Sequence, residues 1–334
     1  MATAMVSYTH DDVTALDAVL DRVSRLHSAP QVAQRILELT RDLYFDVGAV
    51  LRCLESDPAL AARVLRVVNS AHYGLGSRVT SLRQAVALLG QRSLRLVAMT
   101  FSLVDALARG ASAQLCAEYW KQALSLAVVA SYLAKLSRGA VAQDSAYAAG
   151  LVADLGILVL TQVFGESYVQ LYQQHGHGPA LIAAERRELG FGHAALGARL
   201  LERWEFPISL VLATLQHHEL AEASPFLSRL VYLAHLTSEI FWQAQCSQLA
   251  ELRRHLREHF GLDTDQFIDL VRQCAADIES HARLFEVELP ERLDCQALEE
   301  RARQQQMEAA VATALELDTV LAVLGETDDS RAFG

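Results

Sequence analysis

Apolar positions recur with helical spacing along nearly the whole chain of 334 residues. Between Ala61 and Val68, apolar side chains fall at i, i+3, i+4 and i+7, which places them on one helix face, while Arg63 and Arg66 lie off that face. No segment shows the convincing period-two alternation of a half-buried strand. We therefore predict an all-α fold.

The predicted helices share this periodicity, and they cover residues 13–27, 31–41, 47–55, 58–71, 82–89, 93–108, 113–136, 145–164, 180–189, 193–204, 208–217, 226–243, 249–260, 265–282 and 293–324. Their ends carry recognisable signals. Asp57 is a suitable N-cap before Pro58, which fits the first helical position because its missing N–H costs nothing there. Ser81 and Gln84 form a capping-box pattern, and Gly90 predicts a break.

Composition places the chain among globular proteins, and charge divides it into two parts. Hydrophobic residues make up 52% and charged residues 21%, which excludes a disordered chain. The net charge is −11, but residues 1–250 carry only −1 and residues 251–334 carry −10. The net acidity argues against binding nucleic acid or an anionic membrane through bulk charge. A locally basic stretch remains, and it contains Arg52, Arg63, Arg66, Arg78, Arg83, Arg92 and Arg95.

The sequence predicts a cytoplasmic protein. The N-terminus lacks a basic region followed by an apolar run, so it predicts no secretory signal. Residues 146–164 are long and apolar enough for a membrane span, but Asp154 at their centre favours a buried core helix. The five cysteines are odd in number and include no C-x-x-C pair, which is typical of reduced thiols.

Several short motifs, in order, carry a resemblance to a known family. They are residues 55–60 (ESDPAL), 68–74 (VNSAHYG), 81–90 (SLRQAVALLG), 149–156 (AGLVADLG) and 192–197 (GHAALG), followed by Trp204, Pro207, His217 and His218. Together they resemble the HDOD family, the HD-related output domain of bacterial signalling proteins. The resemblance covers about residues 20–240.

The resemblance implies an HD-like multi-helix bundle with an added N-terminal helical subdomain. We accordingly expect a lead-in over 1–18, an HDOD domain over 19–240 that divides into 19–110 and 111–240, and an acidic helical extension over 241–334. It also implies a regulatory role without catalysis, in contrast to the related HD phosphohydrolases and HD-GYP phosphodiesterases.

The same resemblance implies a degenerate metal site. An HD hydrolase uses a His, a His-Asp pair, further His ligands and a closing Asp to hold ions that activate water against a phosphate ester. Here the first His position is Gln122, the pair is Ala153 with Asp154, and the closing position is His235. We therefore expect no metal, no catalytic residue and no cofactor.

The surviving candidate ligands are vestigial in this interpretation: Asp154, His193, His217 and His218. Each also has a structural alternative. A buried Asp154 needs hydrogen-bond partners, the paired histidines at the end of a helix suit its dipole, and His193 can satisfy backbone groups at a helix start.

The other family-motif residues are expected to serve structure or partner contact: Asp57, Pro58, Asn69, Ser70, Gly90, Trp204 and Pro207. For Asn69 and Ser70 the favoured interpretation is a C-terminal turn in which polar side chains satisfy the last carbonyls of a helix. The alternative is a small polar surface that contacts a partner.

The predicted function is a non-catalytic regulatory module that acts on other signalling proteins or on a second copy of this chain, with no membrane contact. One alternative is a residual metal-dependent phosphohydrolase acting on a nucleotide or cyclic dinucleotide. A second is a nucleic-acid-associated regulator, which would require the arginines of residues 52–95 to share one exposed face. We expect instead that most of them form a solvated face or pair with the acidic C-terminal segment.

Overall fold

The computed structural model describes residues 10–26, 35–36, 38–39, 46–69, 79–108, 111–221, 223–242, 248–284, 287, 289, 295–308 and 310–311. Its helices are α1 (His10–Leu26), α2 (Val47–Glu55), α3 (Pro58–Val68), α4 (Leu82–Ala108), α5 (Ala113–Leu136), α6 (Gln143–Val152), α7 (Leu155–Phe164), α8 (Glu166–His175), α9 (Pro179–Leu189), α10 (His193–Arg203), α11 (Ile208–Leu215), α12 (Phe226–Trp242), α13 (Leu249–Phe260) and α14 (Thr264–Leu284). Residues 295–308 are also helical. No strand occurs among the described residues, so the predicted all-α class is confirmed.

Helix α5 lies at the centre of the HD-like half, packed by α6, α12 and α14. It is apolar on nearly every side, as a helix surrounded by protein must be, and residues 121–131 are all buried. Gly150 brings α6 against it, since a Cβ there would lie only 2.5 Å from the backbone nitrogen of Ala127.

The single helix predicted over residues 145–164 is wrong, because the structure divides it into α6 and α7. The chain leaves helical geometry at Asp154 (φ −91°, ψ 13°). Helix α7 then crosses α10 so closely that a Cβ on Gly156 would lie 2.0 Å from the carbonyl oxygen of His193. This tertiary contact determines the break, and it directs the Asp154 carboxylate towards the histidines described below.

The apolar stretch formed by α6 and α7 passes a test of length and composition for a membrane span. However, 89% of its most apolar part is buried inside the protein. It forms part of the core, as the sequence predicted.

Helix α8 was missed in the sequence analysis, and it positions one residue of the site. It begins after Gly165 (φ +58°) and ends before Gly176 (φ +66°), both in left-handed conformations that favour glycine. The short loop from Gly176 to Gly178 then carries His177. Helix α11 ends two residues before His217, so the paired histidines lie in the turn that follows it rather than in the predicted helix.

The predicted caps of the N-terminal subdomain are confirmed. An Asp57 side-chain oxygen accepts the backbone N–H of Leu60, 3.1 Å away, at the start of α3. The Ser81 hydroxyl accepts the Gln84 N–H, and the Gln84 side chain accepts the Ser81 N–H in return. The break predicted at Gly90 is a kink within α4, where φ is +78° and ψ is 166°.

Asn69 serves structure, as favoured in the sequence analysis. Its side-chain amide donates to the carbonyl oxygens of Leu65 and Val79 at 2.8 and 2.7 Å, and its Oδ1 accepts the N–H of Val79 at 2.6 Å. The side chain thus closes the end of α3 and anchors the chain ten residues later. Ser70 lies outside the described residues.

Two further family-motif residues lie at helix boundaries. Trp204 follows α10 as its C-cap, with its N–H bonded to the Leu200 carbonyl oxygen. Pro207 precedes α11, where its carbonyl oxygen accepts the N–H of Leu210 and Val211.

Helices α1 and α14 pack on the HD-like half from opposite parts of the sequence. Helix α1 packs on α7 and α10, where Arg199 forms two hydrogen bonds with the Asp17 carboxylate at 2.9 and 2.8 Å. Helix α14 packs on α5, and Tyr132 donates a hydrogen bond of 2.9 Å to Asp277.

The basic stretch is only partly described. Arg52 pairs with Asp46 of its own subdomain, with the closest atoms 3.4 Å apart. Arg83 is exposed. The pairing of these arginines with the acidic C-terminal segment remains a prediction.

Candidate functional site

The four candidate ligands singled out from the sequence come together in one cluster. Asp154, His193, His217 and His218 each direct one potential ligand atom inward, and these atoms all lie within 4.8 Å of one another. Asp154 Oδ1 lies 3.2 Å from His217 Nε2 and 3.4 Å from His193 Nε2. His193 Nε2 in turn lies 2.8 Å from His218 Nε2.

Three structural elements deliver these side chains. The break between α6 and α7 places Asp154, the first residue of α10 is His193, and the turn after α11 carries His217 and His218. The glycine contacts between α7 and α10 hold the elements together, since a Cβ on Gly197 would lie 3.0 Å from the backbone nitrogen of Gly156.

A second group, which sequence reasoning did not assemble, adjoins the first. It consists of His177, His235 and Glu239, whose potential ligand atoms also lie within 4.8 Å of one another. His177 Nε2 is 3.2 Å from Asp154 Oδ2, and His235 Nε2 is 3.0 Å from His218 Nδ1. His235 was identified from sequence as the closing motif position, whereas His177 and Glu239 fall at no motif position.

Glu185 is a further residue that the sequence analysis missed. Its carboxylate is buried and accepts hydrogen bonds from the backbone N–H and Nδ1 of His193, both at 2.8 Å, and from the Tyr168 hydroxyl at 2.5 Å. A carboxylate behind a histidine sets its tautomer and orientation, as commonly seen behind histidines that bind metals. In the sequence Glu185 is one of several glutamates, and no motif connects it to His193.

Electrostatics follow from this burial and crowding. Burial alone would raise the pKa of the Asp154 carboxyl, but His177, His193 and His217 hold it well below its usual value. Burial lowers the pKa of His193, yet Glu185 and Asp154 reverse this and raise it to about 10. Burial lowers the pKa of His217, and it lowers that of His218 strongly with the help of the neighbouring histidines.

The chemistry of the donor set fits a divalent cation. His217 Nδ1 lies 2.6 Å from the carbonyl oxygen of Thr214, which can only accept, so Nδ1 donates to it and Nε2 is left directed into the cluster. His217 Nε2, His193 Nε2 and a carboxylate oxygen of Asp154 face one another over 3.2–3.4 Å. Imidazole with carboxylate is a donor set that suits Zn, Fe or Mn.

Two motif positions contribute no ligand. The Gln122 side-chain oxygen accepts a 2.6 Å hydrogen bond from the hydroxyl of Ser238, which ties it to α12. Ala153 has no donor atom. The structure therefore brings together the Asp and His residues predicted from sequence and leaves out the same two positions.

Two cavities reach the cluster. One of about 470 Å³ is lined by His193 and His218, with Arg186 and Glu219 also in its wall. The other, of about 600 Å³, is lined by His177 together with Lys121, Gln122, Tyr172 and Trp242.

Comparison with known proteins agrees with this geometry. The HDOD domain family matches residues 26–220, which is more than half of the chain. The chain belongs to the HDOD family. This family is related to HD phosphohydrolases and to signal-transduction proteins.

Individual HDOD relatives cover different parts of the chain. An uncharacterized protein of Treponema pallidum (strain Nichols) is 25% identical over 209 residues, which span 60% of this chain and 39% of that protein. This chain therefore matches well under half the length of that relative. A Geobacter sulfurreducens HDOD domain protein of unknown function has a TM-score of 0.61 at 24% identity, with 83% of this chain and 99% of that chain covered.

Two further solved structures carry functional labels. A Shewanella amazonensis SB2B protein that is named as a phosphohydrolase has a TM-score of 0.60 at 24% identity. The match covers 80% of this chain and 98% of that chain. A Marinobacter aquaeolei VT8 protein that is named as a signal transduction protein has a TM-score of 0.59 at 25% identity. The match covers 86% of this chain and 69% of that chain. These similarities establish the fold.

Proposed function

We propose that this HDOD chain is a regulatory signal-transduction protein whose HD-like half binds a divalent metal ion and does not hydrolyse phosphate esters. The observation that carries the proposal is the convergence of Asp154, His193, His217 and His218 in one buried cluster. The proposal departs from the sequence-based expectation that these residues hold no metal, because the fold places their four potential ligand atoms within 4.8 Å of one another.

In such a site Asp154, His193 and His217 would hold the ion, and His218 lies close enough to join them. A bound ion there would act as a Lewis acid and would order three structural elements around one point. Glu185 would orient His193, and the proton now favoured on His193 Nε2 would leave on binding, since ligands must be deprotonated.

The absence of hydrolysis is supported by the two motif positions without ligands. Gln122 is engaged with Ser238, and Ala153 offers nothing to an ion or to an attacking water. We therefore propose a role in regulation through contact with partner proteins, among them other signalling proteins or a second copy of this chain. The name of the Marinobacter relative, at 25% identity, is in keeping with this role.

The alternative of a metal-dependent phosphohydrolase is favoured by one observation, the cavity that ends on His177. Lys121 in its wall is a cation able to meet a phosphate, and Trp242 offers a surface for a base. In the structure Lys121 is paired with Glu118 at 2.5 Å and lies 5.2 Å from the Trp242 ring, so a phosphate would have to compete for it.

One experiment separates these functions. The whole chain is stripped with a chelator, reloaded with Mn²⁺ or Zn²⁺, desalted and analysed for bound metal, and the loaded protein is then tested against bis(p-nitrophenyl) phosphate and cyclic dinucleotides. We expect stoichiometric metal, lost in Asp154→Asn and retained in the control Asp269→Asn on exposed α14 surface, with no turnover. Turnover that is abolished by Asp154→Asn would instead establish the hydrolase. If neither Mn²⁺ nor Zn²⁺ binds, the metal site is rejected.

A further inference from the structure

The group formed by His177, His235 and Glu239 adjoins the first cluster at two points, where His177 contacts Asp154 and His235 contacts His218. Its members come from the loop after α8 and from α12, where His235 and Glu239 are four residues apart and share one helix face. Only His235 corresponds to an HD motif position, so the motif does not account for this group.

The Asp154 carboxylate is shared between the two groups, one oxygen to each. Oδ1 faces His193 and His217, at 3.4 and 3.2 Å from their Nε2 atoms. Oδ2 faces Nε2 of His177, also at 3.2 Å. A carboxylate with each oxygen directed at a separate set of nitrogen donors has the arrangement of a bridging ligand between two ions.

One buried acceptor of the second group, a carboxylate oxygen of Glu239, has no hydrogen-bond partner. The side chains of His235 and Glu239 are each only 3% exposed, and Glu239 Oε1 has no hydrogen-bond partner. His235 Nε2 lies 3.0 Å from His218 Nδ1 and 3.4 Å from Glu239 Oε1. A single proton on His235 Nε2 could form a good hydrogen bond with only one of these two atoms. A buried carboxylate oxygen left in this state is costly without a cation.

The loop that carries His177 is fitted to this carboxylate. Gly178 has φ of +120°, and a Cβ there would lie 2.5 Å from Glu239 Oε1. A glycine therefore permits the loop to rest directly on Glu239 while the adjacent His177 reaches Asp154. Any side chain at this position would push the loop or the carboxylate away.

We propose that His177, His235 and Glu239, together with Asp154 Oδ2, bind a second divalent cation next to the first. Gln122 and Ala153 supply no ligand, and His177 and Glu239, which lie outside the HD motif, take their place. Two imidazoles and two carboxylates suit Mn²⁺, Fe²⁺ or Zn²⁺. The inference rests on the proposed function, because Asp154 serves both ions.

The test counts ions in the whole chain. Stripped protein is reloaded with Mn²⁺ alone, or with Zn²⁺ alone, desalted, and its metal content is measured by mass spectrometry. We expect about two ions per chain in the wild type and about one in His177→Ala and in Glu239→Gln. His175→Ala, at the end of α8 two residues before His177 and outside both groups, is the matched control and should keep both ions.

An electron paramagnetic resonance spectrum of the Mn²⁺-loaded wild type tests the same point without a variant. Two ions that share a carboxylate, about 3.5–4 Å apart, should give a magnetically coupled spectrum rather than that of an isolated ion.

The outcomes separate the two proposals. The second metal site is overturned if the wild type binds one ion of either metal, both variants also bind one, and the Mn²⁺ spectrum is uncoupled. That result leaves the first metal site intact. No bound ion in the wild type overturns both.

Discussion

Replacing Gly156 with alanine tests whether the crossing of α7 and α10 builds the site. The new Cβ would lie 2.0 Å from the His193 carbonyl oxygen, and ordinary contact begins at 3.4 Å. The new Cβ is fixed rigidly to its backbone and the atoms that it meets are backbone atoms of His193, so no flexible side chain can yield and the two helices must separate by about 1 Å or more. Overpacking of this kind costs about 1–3 kcal/mol in free energy of unfolding.

The displacement should also reach the metal ligands, because His193 opens α10 and Asp154 lies two residues before the substituted glycine. We expect the melting temperature to fall by roughly 1–4 °C. We expect the affinity for Mn²⁺, measured by competition with a chelator, to fall at least about tenfold, as it does when residues supporting a ligand are removed.

Gly150→Ala provides the matched control. Its Cβ would lie 2.5 Å from the Ala127 backbone nitrogen, where α6 meets α5, so it should destabilise the fold comparably without displacing His193. If both variants lose metal affinity equally, the loss reports general destabilisation. If Gly156→Ala keeps both the wild-type melting temperature and its affinity, the close crossing itself is refuted.

Three other substitutions test local parts of the structure. Glu185→Gln should lower metal affinity by about 10–100-fold in the same competition assay, because the charged acceptor behind His193 is lost; unchanged affinity would contradict its positioning role. Asn69→Ala removes three hydrogen bonds to backbone and should cost about 1–3 kcal/mol in urea unfolding, whereas a loss within error would show that they contribute little. Asp17→Asn removes a partly exposed pair with Arg199 and should cost at most about 1 kcal/mol near neutral pH. Since the pKa of Asp17 is lowered in the fold, this contribution should be present above its unfolded pKa of about 3.9 and vanish as the pH falls through the lower folded value; a difference that persists in acid would argue against the ion pair.

The local signals in the sequence predicted most helices correctly, and they failed where a distant contact decides the structure. Residues 145–164 form one uninterrupted apolar run, so periodicity predicts one helix. The break at Asp154 arises because Gly156 fits against the backbone of His193, 37 positions later in the chain, and no local pattern reports such a contact. Tertiary packing overrides local preference here.

Helix α8 is a different case, because its signal was present in the sequence. Between Gly165 and Gly176, the buried residues Tyr168, Val169, Leu171 and Tyr172 follow helical spacing over a short stretch. Recognising this helix would have placed His177 in a tight loop directly after it, next to a glycine with a special conformation.

The site was predictable from sequence only along its motif. Asp154, His193, His217 and His218 occur in an order that a known family shares, whereas His177 and Glu239 come from segments that no motif joins. Their proximity arises from the path of the chain in three dimensions, so it could be found only in the structure.

The missing motif ligands therefore carry less weight against metal binding than a count along the sequence suggests. An ion responds to the donors around a point in space and not to the motif that supplies them. Around Asp154 the fold places five imidazoles and two further carboxylates, counting Glu185 behind His193 and Glu239 beside His235. Gln122 and Ala153 argue against the water activation of an HD hydrolase, yet Glu239 and His177 offset the loss of ligands. Whether this HDOD protein binds metal and whether it hydrolyses phosphate esters are thus separate questions, and the stoichiometry and turnover experiments measure each independently.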